Sequence, residues 1–185
     1  MINTFVVHVE NKPGVLTRVA SLFRRRAFNI DSLTVGRTEK PEVSRMTITV
    51  DAGPDEARRI EASLYKLVNV LLVENVTEEP AISRDLAMIK VAAQHEERSH
   101  VLQLVNVFRA RVVDVAPDSL IIEITGAEDK IDGLLEVLRP FGVLEMVRTG
   151  IVTMRRGGKS STPSTPSEEL DPLFADGDEK EGQSV

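Results

Sequence analysis

Asn11-Lys12-Pro13-Gly14-Val15-Leu16, followed after an amphipathic segment by Asn29-Ile30-Asp31, decides how this chain is read. Upstream, Phe5, Val7 and Val9 alternate with their neighbours, the period of a strand with one buried face. Downstream, Val15, Leu16, Val19, Leu22 and Phe23 form one apolar stripe at helical spacing. Gly14 therefore sits in a strand-to-helix turn. A helix start leaves backbone N–H groups without intrahelical partners, and these favour a carboxylate. Asn11 and Asn29 flank the same helix and supply neutral donors and acceptors, suited to both charged ends of a free amino acid. No nucleophile with its base accompanies them, so the stretch reads as a sensor rather than a reactor. Spacing alone is met equally by a plain glycine turn with backbone-capping asparagines. It also leaves open whether the two asparagines converge within one chain or across a pair of chains.

Working outward, the period returns to two at Ile30, Leu33 and Val35, with an irregularity expected there, and again at Met46, Ile48 and Val50. Gly53-Pro54-Asp55-Glu56 opens a second helix, with proline and acids in its first turn. Its buried stripe is expected to be Ile60, Leu64, Leu67 and Val68, and Val70 to Val76 is expected as a strand. The order is βαββαβ. A second pass repeats it: a strand from Leu86 to Ala92, a helix marked by Val101, Leu102, Val105 and Phe108, and paired strands Arg111 to Val115 and Leu120 to Thr125. A helix marked by Ile131, Leu134, Leu135 and Leu138 follows, and one closing strand is expected over Val143 to Met154. The fold class is α+β, two ferredoxin-like βαββαβ domains over residues 1–78 and 82–156. Each unit is expected to leave a sheet face or edge open, which invites pairing of copies into at least a homodimer.

Composition narrows the function. With no Trp, one Tyr and six Phe, the cores must be built from Val, Leu and Ile. The absence of cysteine excludes disulfides, thiolate metal sites and cysteine catalysis. Residues 157–185 carry seven acidic and two basic residues, leaving residues 1–156 near neutral at −1. That balance argues against general affinity for nucleic acid or anionic membrane. The polar, acidic tail is expected to be disordered, with Leu170, Leu173 and Phe174 as a conceivable docking motif. Met1-Ile2-Asn3-Thr4-Phe5 lacks a basic, then apolar leader, and no stretch is long enough to span a bilayer, so a cytoplasmic protein is expected.

The stretches Glu10 to Val19, Phe28-Asn29-Ile30-Asp31-Ser32-Leu33-Thr34-Val35, Ser44-Arg45-Met46-Thr47-Ile48 and Phe108 to Val115 resemble the ACT-domain family. More narrowly, they are similar to the regulatory (small) subunits of acetolactate synthase, also called acetohydroxyacid synthase. The resemblance covers about residues 1–156. It implies a chain with no active site and no cofactor of its own. Such a chain binds a catalytic subunit that carries thiamine diphosphate, FAD and magnesium, raises its activity, and confers feedback inhibition by valine or another branched-chain amino acid at the interface of paired ACT domains. By position, the effector-binding residues would be Asn11 and Asn29 for its polar ends. The N–H groups of Gly14, Val15 and Leu16 would take its carboxylate, with Ile30 beside its side chain. Asn69 stands where the family often has aspartate, and is expected to lie away from the site. The helix dipole would add about 0.3–2 kcal/mol to carboxylate binding. One methylene is worth only about 1–3 kcal/mol, so discrimination among branched side chains should be partial.

Other features point less far. Ala93-Gln94-His95-Glu96-Glu97-Arg98 replaces the glycine loop in the second half, which is therefore expected to bind no amino acid in the same manner. Arg24-Arg25-Arg26 at a helix end suits the helix dipole or a partner contact. His8, His95 and His100 lack the i, i+4 spacing of metal ligands on a helix. An RNA-binding fold of the same topology would need aromatic residues on its central strands, and Val35, Met46, Ile48 and Val50 stand there instead.

Overall fold

A computed structural model describes residues 1–158, 162 and 163. The first unit runs β1 (Ile2–Glu10), α1 (Val15–Arg25), β2 (Ile30–Arg37), β3 (Val43–Asp51), α2 (Pro54–Leu64) and β4 (Val70–Asn75). Its strands form one antiparallel sheet in the order β2-β3-β1-β4. Phe5, Val7 and Val9 pack with Val19, Phe23, Ile60 and Leu64, so both helices cover the same face. α2 starts as its sequence directs: Pro54 needs no N–H partner at the first position, and Glu56 accepts the Gly53 N–H at 2.9 Å. The irregularity in β2 is a register shift between Ile30 and Ser32. Val68 corrects the expected stripe, being 90% exposed. α2 stops at Leu64, and the turn that follows takes residue 68 out of helical phase.

The second unit runs β5 (Ala81–Ala92), α3 (Arg98–Val107), β6 (Arg111–Val115), β7 (Ser119–Gly126), α4 (Glu128–Leu138), β8 (Val143–Arg148) and β9 (Val152–Arg155). β6-β7-β5-β8 repeats the antiparallel order of the first sheet. Ile89, Val101, Ile122, Ile131 and Leu134 make a separate aliphatic core. The closing strand expected over Val143 to Met154 is two strands. Gly150, at φ +88°, turns the chain between them, and β9 pairs with the first four residues of β5.

Of the open face or edge expected on the first sheet, that extra pairing covers the face and leaves the edge at β2. β5 overruns its own sheet, and the ribbon it makes with β9 lies across the first sheet on the side away from the helices. The Thr34 hydroxyl donates to the Ile151 carbonyl at 2.7 Å, and the Ile151 N–H donates to the Ser32 hydroxyl oxygen at 3.1 Å. Arg45 donates to the Thr153 carbonyl, and Arg155 pairs with Glu74 at 2.9 Å. Val6, His8, Thr47 and Thr49 are buried in consequence, and β1 is covered on both faces. The ribbon is pinned by Asp85. Its buried carboxylate accepts from Arg148 Nε at 2.6 Å, the Thr149 hydroxyl at 3.1 Å and the Gly150 N–H at 3.1 Å.

Among the described residues no helix is long and apolar enough to cross a membrane. The expectation of a disordered tail, with its Leu170, Leu173 and Phe174 motif, falls almost wholly outside the described residues.

Candidate functional site

Gly14 precedes α1 at φ +81°, a left-handed conformation that a residue with a Cβ adopts only at a steric cost. No side chain caps the helix. The Gly14 and Leu16 N–H groups make no backbone hydrogen bond among the described residues, while that of Val15 reaches the Lys12 carbonyl at a long 3.4 Å. A hypothetical Cβ on Gly14 would meet nothing within 4 Å, so the space over the turn is open. Leu16 is exposed beside it, and Val15 is buried in the core. The loop thus offers main-chain donors at the positive end of a helix with room for an anion.

Asn11 has a structural task besides any ligand. Its Nδ2 donates to the Pro41 carbonyl at 2.9 Å and its N–H to the Glu42 carbonyl at 2.6 Å, tying the loop to the β2–β3 turn. Its side-chain oxygen remains as an acceptor. Asn29 is exposed, and among the described residues no hydrogen bond holds its side chain. Ile30 is half-buried and packs against the core. Asn29 and Ile30 lie beyond the far end of α1 from Gly14. Eleven residues of helix separate them, a span of about 16 Å. One chain therefore does not bring Asn11 and Asn29 together around a small ligand.

Asn69 was not expected at this loop, yet it organises the loop's base. Arg18 of α1 donates to its side-chain oxygen, and its Nδ2 donates to Glu10, whose other oxygen accepts from Lys12 at 3.0 Å. Asn69 is first among the causes that hold the Glu10 carboxyl below its ordinary value. An aspartate here could still receive Arg18 but would face Glu10 with a second negative charge. Nothing in the local spacing signals this link, because Glu10 and Asn69 belong to β1 and to the turn before β4.

In the second unit the equivalent turn is tied down by a side chain. Arg98 Nη2 donates to the carbonyls of Ala93 at 3.2 Å, Ala116 at 2.6 Å and Pro117 at 2.9 Å, joining the β5–α3 loop to the β6–β7 turn.

His8 is 1% exposed on the ribbon side of β1, and its Nδ1 finds no hydrogen-bond partner among the described residues. Burial first, then the Arg45 guanidinium, hold its pKa below the ordinary 6.5, against Glu74 and Glu39, which act the other way. The unfolded chain takes up this proton near 6.5 while the folded chain resists it, so folding stability falls as pH drops below that value. Urea midpoints between about pH 7 and about pH 5 are expected to fall more steeply for the natural chain than for His8→Gln. Parallel curves would contradict this account of His8.

With this geometry in place, the relatives can be compared. Residues 5–72 match the family described as the AHAS small subunit-like ACT domain, which defines the first unit as an ACT domain of that type. Residues 84–157 match the family described as the small subunit of acetolactate synthase. A probable acetolactate synthase small subunit of Archaeoglobus fulgidus is 49% identical over 86% of this chain and 99% of its own length. The acetolactate synthase small subunit of Mycobacterium bovis is 50% identical over 84% of this chain and 92% of its own. The crystal structure of the Thermotoga maritima small subunit superposes with a TM-score of 0.80 at 40% identity, covering 86% of this chain and 99% of that one. The chain belongs to the family of acetolactate synthase small subunits.

Proposed function

We propose that this chain is a non-catalytic subunit that docks on the catalytic large subunit of acetolactate synthase, raises its activity, and makes it answer to valine or another branched-chain amino acid. Thiamine diphosphate, FAD and magnesium belong to that partner. The effector sits between two copies of the ACT domain. The glycine loop of one copy takes its carboxylate, and Asn29 of the other meets its remaining polar end beside Ile30. The observation that carries this reading is the uncapped turn at Gly14, with main-chain donors and open space above it. Family membership supports the choice of partner. β2 at the edge of the first sheet leaves main-chain groups that a second copy can pair. Inhibition further requires the effector to favour one arrangement of the complex, since equal affinity for both shifts nothing.

Calorimetric titration of the full chain with valine, leucine and isoleucine tests the reading. Saturable binding between about 1 μM and 1 mM is expected, corresponding to about 4–8 kcal/mol, with only partial preference among the three. Absence of heat with all three would overturn the effector assignment. Unchanged activity of the large subunit on adding this chain would overturn the partner assignment.

A further inference from the structure

The ribbon does not lie flat on the first sheet. Between them is a cavity of about 590 Å³ lined by His8, Arg37, Arg45, Glu74, Met154 and Arg155, within the size range of small-molecule pockets. The charges around it are unequally engaged. Arg155 is held by Glu74 at 2.9 Å and Glu79 at 3.2 Å. Glu39, also on the wall, is bonded by its own backbone and by Thr162. Among the described residues, Arg45 donates to the Thr153 carbonyl and reaches no carboxylate, and Arg37 has no hydrogen-bond or ion-pair partner. His8 stands on the floor with its buried Nδ1 unpartnered, which native interiors rarely tolerate without an exchangeable partner.

We propose that this cavity is a second ligand site, on the opposite face of the sheet from the helices and the glycine loop, for a small metabolite bearing an oxyanion, carboxylate or phosphate. Arg37 and Arg45 supply forked, permanently charged donors for the oxyanion, with His8 on the floor beside them. Met154 and Arg155 come from the ribbon, so the site is complete only while the two units are docked. Thr38 and Glu39 on its wall belong to the same β2–β3 turn whose Pro41 and Glu42 carbonyls Asn11 holds. A ligand here would therefore be linked to the glycine loop through one short turn, and linkage of that kind is reciprocal. The proposal does not depend on valine being the effector.

Imidazole NMR of the full-length chain tests it, with inorganic phosphate and succinate as separate probes at low ionic strength. Either probe is expected to shift the His8 resonances saturably, leaving His95 and His100, both exposed on the second unit, as unmoved internal references. Arg37→Gln alters an exposed side chain and should weaken the response at least about tenfold, or 1.4 kcal/mol. Tighter binding of phosphate or of succinate tells which oxyanion the natural ligand carries. No saturable shift with either probe would overturn the proposal. So would equal shifts of all three histidines, or a response unchanged in both Arg37→Gln and Arg37→Gln/Arg45→Gln.

Discussion

A mixture of two inactive chains, one Gly14→Asp and the other Asn29→Ala, is expected to recover about a quarter of the wild-type amino-acid-binding capacity. Each variant alone should lose at least a hundredfold in affinity, about 2.7 kcal/mol. Gly14→Asp places a carboxylate against the amides proposed to receive the ligand's own carboxylate, and forces a Cβ into a left-handed conformation at φ +81°. Asn29→Ala removes an exposed amide with no partner among the described residues, so its folded structure should be unaffected. The recovery follows from symmetry. If each site takes its loop from one copy and Asn29 from the other, a mixed dimer has one doubly damaged site and one intact site. Random pairing makes about half the dimers mixed, hence about a quarter of all sites sound. A site contained in one chain would recover nothing. Binding measured after co-refolding separates the two arrangements, and zero recovery would refute the shared site.

The second large effect belongs to Asp85→Ala. This carboxylate is buried and collects the three donors that fix the turn between β8 and β9. Removing one partner of a buried pair costs about 3–5 kcal/mol. Arg148 keeps Asp132 at 2.9 Å and Glu128 at 3.9 Å, so the loss should fall near the lower end, about 3 kcal/mol. Asp132→Ala, which touches the same guanidinium from an exposed position, should cost less than about 1 kcal/mol. Urea unfolding of both variants checks the contrast, and equal losses would contradict it. Hydrogen exchange should also quicken across residues 150–155 in Asp85→Ala, because the ribbon is the element that this carboxylate anchors.

Local periodicity revealed the elements because each buries one face. Phe5, Val7 and Val9, or Val19, Leu22 and Phe23, announce themselves at periods of two and of about 3.6. The glycine turn was legible for the same reason, since Gly14 sits where strand spacing gives way to helix spacing. Val143 to Met154 misled because strand-forming residues flank Gly150 on both sides, and a lone glycine inside a strand pattern need not end it. Only the positive φ of Gly150, and the Ser32 hydroxyl 2.6 Å from where its Cβ would stand, show why the chain must turn there. Long-range partners left no local trace. The Asn69 bridge to Glu10 and Arg18, the three bonds of Asp85 and the ribbon over His8 join distant segments, and no spacing rule reaches so far. Val68 departs from the stripe for a simpler reason: α2 ends four residues before it, and helical spacing no longer applies there.

Arg98 draws a division of labour between two modules of one topology. Where the first leaves open space over its turn, the second ties the equivalent turn down with its own guanidinium. Under the proposed reading, an effector carboxylate would be received at the turn of the first module and not at that of the second. In that reading the second module, strapped across the first by a strand pair, would be the lever through which a bound amino acid is felt elsewhere.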